Sequence, residues 1–360
     1  MEPGSGIRLA VKDLFDTAGI RTTYGSAVFA EHVPTRSAEA VRLLEAAGYA
    51  NVGKTNLHEF AYGVTSQNLH YGTVPNPAAP GRTSGGSSGG SAAALVAGLA
   101  DAALGTDTGG SIRIPAACCG IVGFKPSYGL VSTDGIFPLA PSFDHAGPMA
   151  RDVATCGQMM EVLVPGFSVS ETALDELTVA TSWSDRADPL VRARVDEAAS
   201  LFPNRQQVDF PDAYDATPIF MREVADVHRD LYAENAELYG DNIRPKIERC
   251  LEVTDAELAA AEISRAGYEQ LALDALGDAD LLLTPTLAFV APPGDVDEIA
   301  FRADFVRFTF PFNALGWPAL ALPCGAAEDG LPASIQIVGR RGADALVLAA
   351  ATALERALKP

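Results

Sequence analysis

Apolar positions change their period along the chain, and the changes mark out alternating strands and helices. From Ile7 to Phe15 a short apolar run carries Lys12 and Asp13 and stops at the turn sequence Asp16-Thr17-Ala18-Gly19, which predicts a strand. After Ser37, a predicted N-cap, Ala40, Val41, Leu43, Leu44 and Ala47 recur at helical spacing until Gly48 stops them. Tyr49 to Gly53 reads as a strand and Thr55 to Tyr62 as another short helix. Pro75 to Gly90 is too rich in Pro, Gly and Ser for a regular element, yet it feeds an Ala/Leu helix pattern from Ser91 to Ala97. Ala102 to Thr106 then predicts a buried strand, Asp107 to Ser111 a second glycine loop, and Ile121 to Phe124 another strand.

Between about Val164 and Ala300 the pattern lengthens into amphipathic stretches, Thr217 to Tyr239 and Asp255 to Leu276, with Thr217 placed as an N-cap ahead of Pro218. A helical excursion over about 164–280 is expected there. Leu281 to Leu287, Ala319 to Pro323 and Ala333 to Val338 predict strands, and Ala343 to Leu358 a closing helix. Strands alternating with helices imply an α/β fold around a mixed sheet, and residues 1–360 are read as one domain.

Composition narrows the function. At 48% hydrophobic and 20% charged residues the chain resembles ordinary globular proteins, not disordered ones. A formal net charge of -20 repels phosphates and anionic headgroups, so direct nucleic-acid or membrane-surface binding is not expected. The most apolar stretch, Ala92 to Leu104, is interrupted by Asp101 and falls short of the roughly 20 residues a membrane span needs. Met1 to Gly6 reads as a loop and lacks the basic and apolar segments of a signal peptide. The five cysteines, Cys118, Cys119, Cys156, Cys250 and Cys324, have no zinc-type or disulfide spacing, which suits a reducing cytoplasm and a protein without a metal.

Chemistry concentrates in two glycine loops, Gly85-Gly86-Ser87-Ser88-Gly89-Gly90-Ser91 and Gly105-Thr106-Asp107-Thr108-Gly109-Gly110-Ser111-Ile112-Arg113. Glycines let successive N–H groups converge on one anion, as the tetrahedral oxygen of acyl transfer requires. Ser111 with the amides around Thr108, Gly109 and Gly110 supplies a nucleophile and donors. The proton carrier stays open at this point: His32, His58, His70, His145 and His228 all lie outside the loops, and Lys12 follows an apolar Leu9-Ala10-Val11 that would bury it and lower its pKa.

Ala10-Val11-Lys12-Asp13, the Gly-Gly-Ser-Ser-Gly-Gly-Ser loop and Gly105 to Arg113 together resemble the amidase signature family, in order and in spacing. The likeness extends through Pro115-Ala116, Gly120 to Pro126, Ser142-Phe143-Asp144, Gly147-Pro148, Leu282 to Thr286 and Gly316-Trp317-Pro318-Ala319, about two thirds of the chain. It implies the family's fold, a mixed central sheet with helices on both faces, and a cofactor-free amidohydrolase. In that reading Ser111 attacks the carbonyl, Ser87 bridges it to Lys12 after a cis peptide bond, and Thr108 to Ser111 form the oxyanion hole. Ser88, Asp107 and Arg113 would support the loops, with Ala61 and Tyr62 beside the acyl group. The 164–280 region, outside the likeness, would govern substrate choice. Compact members such as plant indole-3-acetamide hydrolase are closest in character, implying a small aryl or alkyl amide as substrate, and a homodimer is allowed for. Only eleven residues precede Lys12, so a surface that other members build from earlier helices is expected to be missing.

Blander readings compete. A Gly/Ser stretch alone is commonly a linker, and Gly85 to Gly89 also fits the α/β-hydrolase nucleophile elbow. The second loop lacks the Gly-Lys-Ser/Thr of a phosphate loop. Lys12 could instead be ion-paired with Asp13 or another carboxylate, and His145 is expected to be structural, as are Cys118 and Cys119 on a buried helix. Two other functions remain: the glutaminase subunit of a tRNA-dependent amidotransferase, whose partner would hold the tRNA, and a silent binding protein on the same fold.

Overall fold

Among the described residues ten strands form one sheet: β1 (Arg8–Lys12), β2 (Ala50–Thr55), β3 (Ala102–Asp107), β4 (Val122–Lys125), β5 (His145–Ala150), β6 (Thr178–Thr181), β7 (Asn204–Gln207), β8 (Leu281–Pro285), β9 (Ala319–Ala326) and β10 (Pro332–Gly339). This computed structural model describes residues 6–359, apart from the side chain of Tyr214, so the loop expected over residues 1–6 lies almost wholly outside it. The order is β2-β1-β3-β5-β4-β9-β10-β8-β6-β7. β1 runs parallel to both β2 and β3, the stretch from β3 to β8 is antiparallel, and β8, β6 and β7 are parallel again.

Among the described residues eleven α-helices accompany the strands: α1 (Glu39–Ala46), α2 (Gly89–Val96), α3 (Arg113–Cys119), α4 (Val153–Leu163), α5 (Pro189–Ser200), α6 (Thr217–Asn235), α7 (Arg244–Leu251), α8 (Asp255–Leu276), α9 (Glu298–Val306), α10 (Phe310–Ala314) and α11 (Asp344–Leu358). Side chains alternate across a strand, and here the alternation sorts them into layers. Leu9 and Val11 of β1 join a cluster with α1, α4, α5 and α11 through Val41, Met160, Val195 and Leu348. Ala10 faces the other way, among Leu95 of α2 and Ile112 and Ala116 beside or on α3. Lys12, two residues on, shares that second face. Leu282 and Val338 point to a further cluster there, built with α6, α7, α8 and α10. The expected α/β fold, a mixed sheet covered on both faces, is what the chain adopts.

Several local expectations need correction. Ser37 does not cap α1; its hydroxyl accepts from the Ala18 amide at 3.0 Å, and Ala38 precedes the helix without a side-chain cap. No helix forms over 55–62, where Phe60 and Ala61 sit at φ 51° and 58° and only one 3₁₀ turn, Glu59–Ala61, appears. The Phe60 amide is drawn to the Tyr24 carbonyl at 2.9 Å, which holds the segment out of helical geometry. Thr217 is the first residue of α6 and Ala216 its cap. The region 164–280 is not purely helical, because β6 and β7 extend the sheet within it; β6 is four residues long and β7, Asn204–Gln207, is exposed and polar throughout.

Candidate active site

β1 and β3 are parallel, with Val11 opposite Leu104, so their carboxyl ends open at the same edge of the fold. In α/β sheets that edge is where ligands gather. Lys12 closes β1 and Thr106-Asp107 close β3. The first glycine loop passes over them and becomes α2 directly, two residues earlier than the Ala/Leu pattern predicts. Gly90 makes this close passage feasible: a Cβ there would lie 2.2 Å from the backbone oxygen of Asn56. The Gly86–Ser87 peptide bond is cis.

Lys12 is completely buried and surrounded by hydroxyls. Its Nζ lies 2.7 Å from Ser87 Oγ, 3.0 Å from Ser88 Oγ and 2.6 Å from Thr106 Oγ1. Ser88 donates its own proton to the Thr106 carbonyl at 3.2 Å, so toward Lys12 it can only accept. Asp13, the rival partner, pairs with Lys54 at 3.2 Å and with the Thr23 amide and hydroxyl. Burial lowers the Lys12 pKa to about 7, against the opposing pull of the Asp107 and Asp144 charges. The ammonium and the free amine are therefore both accessible near neutrality.

The second loop is anchored to the first, since the Ser88 amide donates to the Ser111 carbonyl at 3.2 Å. Asp107 organises it from inside. Its carboxylate accepts from the amides of Gly110 (2.8 Å) and Ile112 (3.1 Å) and from Asn313 Nδ2 (2.8 Å). It also receives a two-pronged contact from Arg113, at 3.0 Å and 2.8 Å. Burial works against that charge, but the guanidinium of Arg113 overrides it and holds the carboxyl well below its usual range. The remaining Arg113 donors reach the Thr309 carbonyl (2.9 Å), Gln336 Oε1 (2.7 Å) and Asn313 Oδ1 (2.7 Å). One expected oxyanion donor is thereby removed: the Gly110 amide belongs to Asp107. The amides of Thr108, Gly109 and Ser111 have no hydrogen-bond partner among the described residues.

Ser111, 7% exposed, opens into a cavity of about 90 Å³ lined by Ala61, Tyr62, Thr108, Phe220, Arg302 and Phe310, among others. Among the described residues no hydrogen bond joins Ser111 Oγ to Ser87. Ala61 and Tyr62 line this cavity together with Ser111, and Ser88, Asp107 and Arg113 lie behind the loops. His145 is buried with Nδ1 2.6 Å from the Phe143 carbonyl, and burial pushes its pKa well down. Cys118 and Cys119 are core residues of α3.

Sequence reasoning missed other members of the site. Thr106 was legible in principle, sitting beside Asp107 in the loop motif. Asp144 ties the Ser142-Phe143-Asp144 segment to the loop by accepting from Thr108 Oγ1 at 2.6 Å. Phe220, Arg302 and Phe310 come from α6, α9 and α10, and no local pattern announces them.

A profile of the family described as Amidase matches residues 2–175 and 193–348. This chain belongs to the amidase family. Its relatives include a Haloarcula marismortui protein named as a glutamyl-tRNA(Gln) amidotransferase subunit, 34% identical over 98% of this chain and 95% of that one. Amidase 1 of Oryza sativa subsp. japonica is 32% identical over 96% of this chain and 89% of its own. A solved amidase superimposes with a TM-score of 0.90 at 36% identity, covering 98% of this chain and 84% of that one. The alignment to the Haloarcula protein runs over 409 residues, more than the 360 present here, so that relative carries segments without a counterpart in this amidase-family chain.

Proposed function

We propose that this member of the amidase family hydrolyses a small carboxylic amide through a seryl acyl-enzyme. The observation that carries the reading is the position of Lys12 Nζ 2.7 Å from Ser87 Oγ, on the loop that is hydrogen-bonded to Ser111, with hydroxyls rather than carboxylates as its hydrogen-bond partners. The neutral amine takes the Ser87 proton while Ser87 takes that of Ser111, and Ser111 Oγ bonds to the carbonyl carbon. This transfer requires the Ser111 hydroxyl to turn toward Ser87. The carbonyl electron pair moves onto oxygen, where the amides of Thr108, Gly109 and Ser111 receive it. As the C–N bond breaks, the proton held on Lys12 returns through Ser87 to the departing nitrogen. Water then repeats the sequence on the ester and frees the carboxylate.

Exposure to a fluorophosphonate followed by intact-mass measurement tests the reading. Wild type should gain one adduct, Ser111→Ala none, and Lys12→Ala should label far more slowly. Absence of labelling in folded wild type would instead favour a binding protein on this fold.

A second reading draws on the relatives named as amidotransferase subunits: ammonia released at the same serine would pass to a partner protein. Co-purification of a partner and strict preference for glutamine would establish it. The unbroken ten-stranded sheet supports treating 1–360 as one amidase domain. Five buried free cysteines, and no helix among the described residues long and apolar enough to cross a membrane, support a cytoplasmic location. Sedimentation distinguishes a monomer from the homodimer allowed for above.

A further inference from the structure

The cavity above Ser111 contains one positive charge that the proposed relay does not use. Arg302, on α9, lines it together with Ser111, Thr108 and Phe220. The guanidinium lies over the Tyr62 ring at 4.4 Å and near the Phe220 ring at 5.7 Å. These cation–π contacts supply no acceptor oxygen to its N–H donors. Nη1 is buried without a hydrogen-bond partner, and among the described residues no carboxylate forms a salt bridge with Arg302.

The nearest candidate partner along α9 is already occupied. Glu298, one turn earlier, receives Lys246 Nζ on Oε1 at 2.5 Å, and His58 Nε2 and Thr65 Oγ1 on Oε2 at 3.1 Å each. Burial raises the Glu298 carboxyl, but the charges that face it, Lys246 and more weakly Arg302 among them, outweigh burial and hold the group at about 2. His58, driven down to about 3 by burial, is neutral near pH 7. Lys246 and Glu298 therefore pair with each other, and Arg302, which feels the Glu298 charge without touching it, has no ion-paired carboxylate among the described residues. A buried charged donor without an acceptor is unfavourable, and a ligand supplying one recovers that loss.

We propose that Arg302 is a specificity-determining residue that accepts a carboxylate of the substrate, so that the preferred substrates are short amides with a carboxylate at the end away from the scissile bond. Monoamides of short dicarboxylic acids have this form. The fork of a guanidinium matches a carboxylate edge, and the cavity of about 90 Å³ lies well below the roughly 300 Å³ at which drug-sized ligand sites begin. Tyr62, Phe220 and Phe310 would flank the methylene chain. A site built to hydrogen-bond a substrate group also rejects analogues that lack it.

This assignment rests on the amidohydrolase reading, and two measurements separate its failure from that of the reading. In the first, kcat/KM is compared for glutaric acid monoamide and its neutral isostere 5-methylhexanamide in wild type, Arg302→Met and Arg302→Lys. Wild type should favour the monoamide, and Arg302→Met should cut the ratio of the two values by about 10- to 100-fold, the scale of a lost charge-assisted hydrogen bond. Arg302→Lys should restore part of it. A ratio unchanged by Arg302→Met, with both rates falling together, assigns Arg302 a structural role and overturns the proposal. In the second, glutaric acid monoamide is titrated calorimetrically into Ser111→Ala and into Ser111→Ala/Arg302→Met, which needs no turnover. Binding to the first and at least tenfold weaker binding to the second supports the carboxylate site even if Ser111 proves not to be the nucleophile. Equal affinity of the two proteins, or no binding to either, refutes it.

Discussion

In the proposed relay, Lys12 needs little beyond its surroundings to serve as a base. Three hydroxyls satisfy its hydrogen bonds without neutralising its charge, and burial brings its pKa to about 7. A group that must be neutral to accept a proton is active above its pKa. The rate of Ser111 labelling, and kcat/KM once a substrate is in hand, should therefore rise with pH through about 7 and level off above it. A profile flat from pH 6 to 8 would remove Lys12 from the relay. Asp107 serves a different purpose, since it touches loop amides and Arg113 and faces away from the cavity. Asp107→Asn leaves the Arg113 guanidinium buried without its counter-charge, a change worth about 3–5 kcal/mol. Denaturant unfolding should show that loss, with Ser111 labelling reduced in whatever remains folded. Lys12, Ser87 and Ser111 were legible because each lies in a local motif whose residues are contiguous. Arg302 was not: its meaning depends on Tyr62 and Phe220, which lie on other elements, and on Glu298 being occupied by Lys246 and His58.

At the scale of elements, the two loops work because the helices that follow them are pressed against the sheet. α2 begins with two glycines, poor helix formers, and tertiary contact overrides their propensity. Gly90→Ala would drive a Cβ into the Asn56 backbone, which cannot move aside as a side chain can. Overpacking of this kind costs about 1–3 kcal/mol. The thermal midpoint should drop, and because Ser87 and Ser88 lie immediately ahead of α2, Ser111 labelling should slow disproportionately. An enzyme of unchanged midpoint and labelling rate would show that α2 tolerates the displacement. The long helices α6 and α8 were legible from their period, and so were β1, β3, β8 and β10, whose apolar runs are bounded by turns. β5 was not, since His145-Ala146-Gly147-Pro148-Met149-Ala150 has no β-branched residue and includes a proline, yet it pairs with β3 on one side and β4 on the other. Its strand character comes from its neighbours. β6 and β7 escaped for the opposite reason: they are four residues each and lie among helices.

The whole molecule carries its excess charge over a surface of 13790 Å², so twenty net negative charges have roughly 690 Å² each, a spacing of about 26 Å. That spacing falls within the screening length of roughly 30 Å at 0.01 M salt and far beyond that of roughly 8 Å at 0.15 M. Mutual repulsion is therefore felt at low salt and largely removed at physiological salt. Surface ion pairs respond in the opposite sense but to a smaller degree, because partners such as Arg8 and Asp101, at 2.8 Å, or Arg186 and Asp212, at 3.1 Å, sit well inside either length. Exposed pairs of this type contribute little in any case, because solvent screens them and two long side chains must be held in one geometry. The diffuse repulsion should dominate, and the thermal midpoint should rise between 0.01 and 0.15 M sodium chloride at pH 7. A falling midpoint would mean that the arginine pairs outweigh the net charge, and would place the main electrostatic contribution to stability in local contacts between helices and strands.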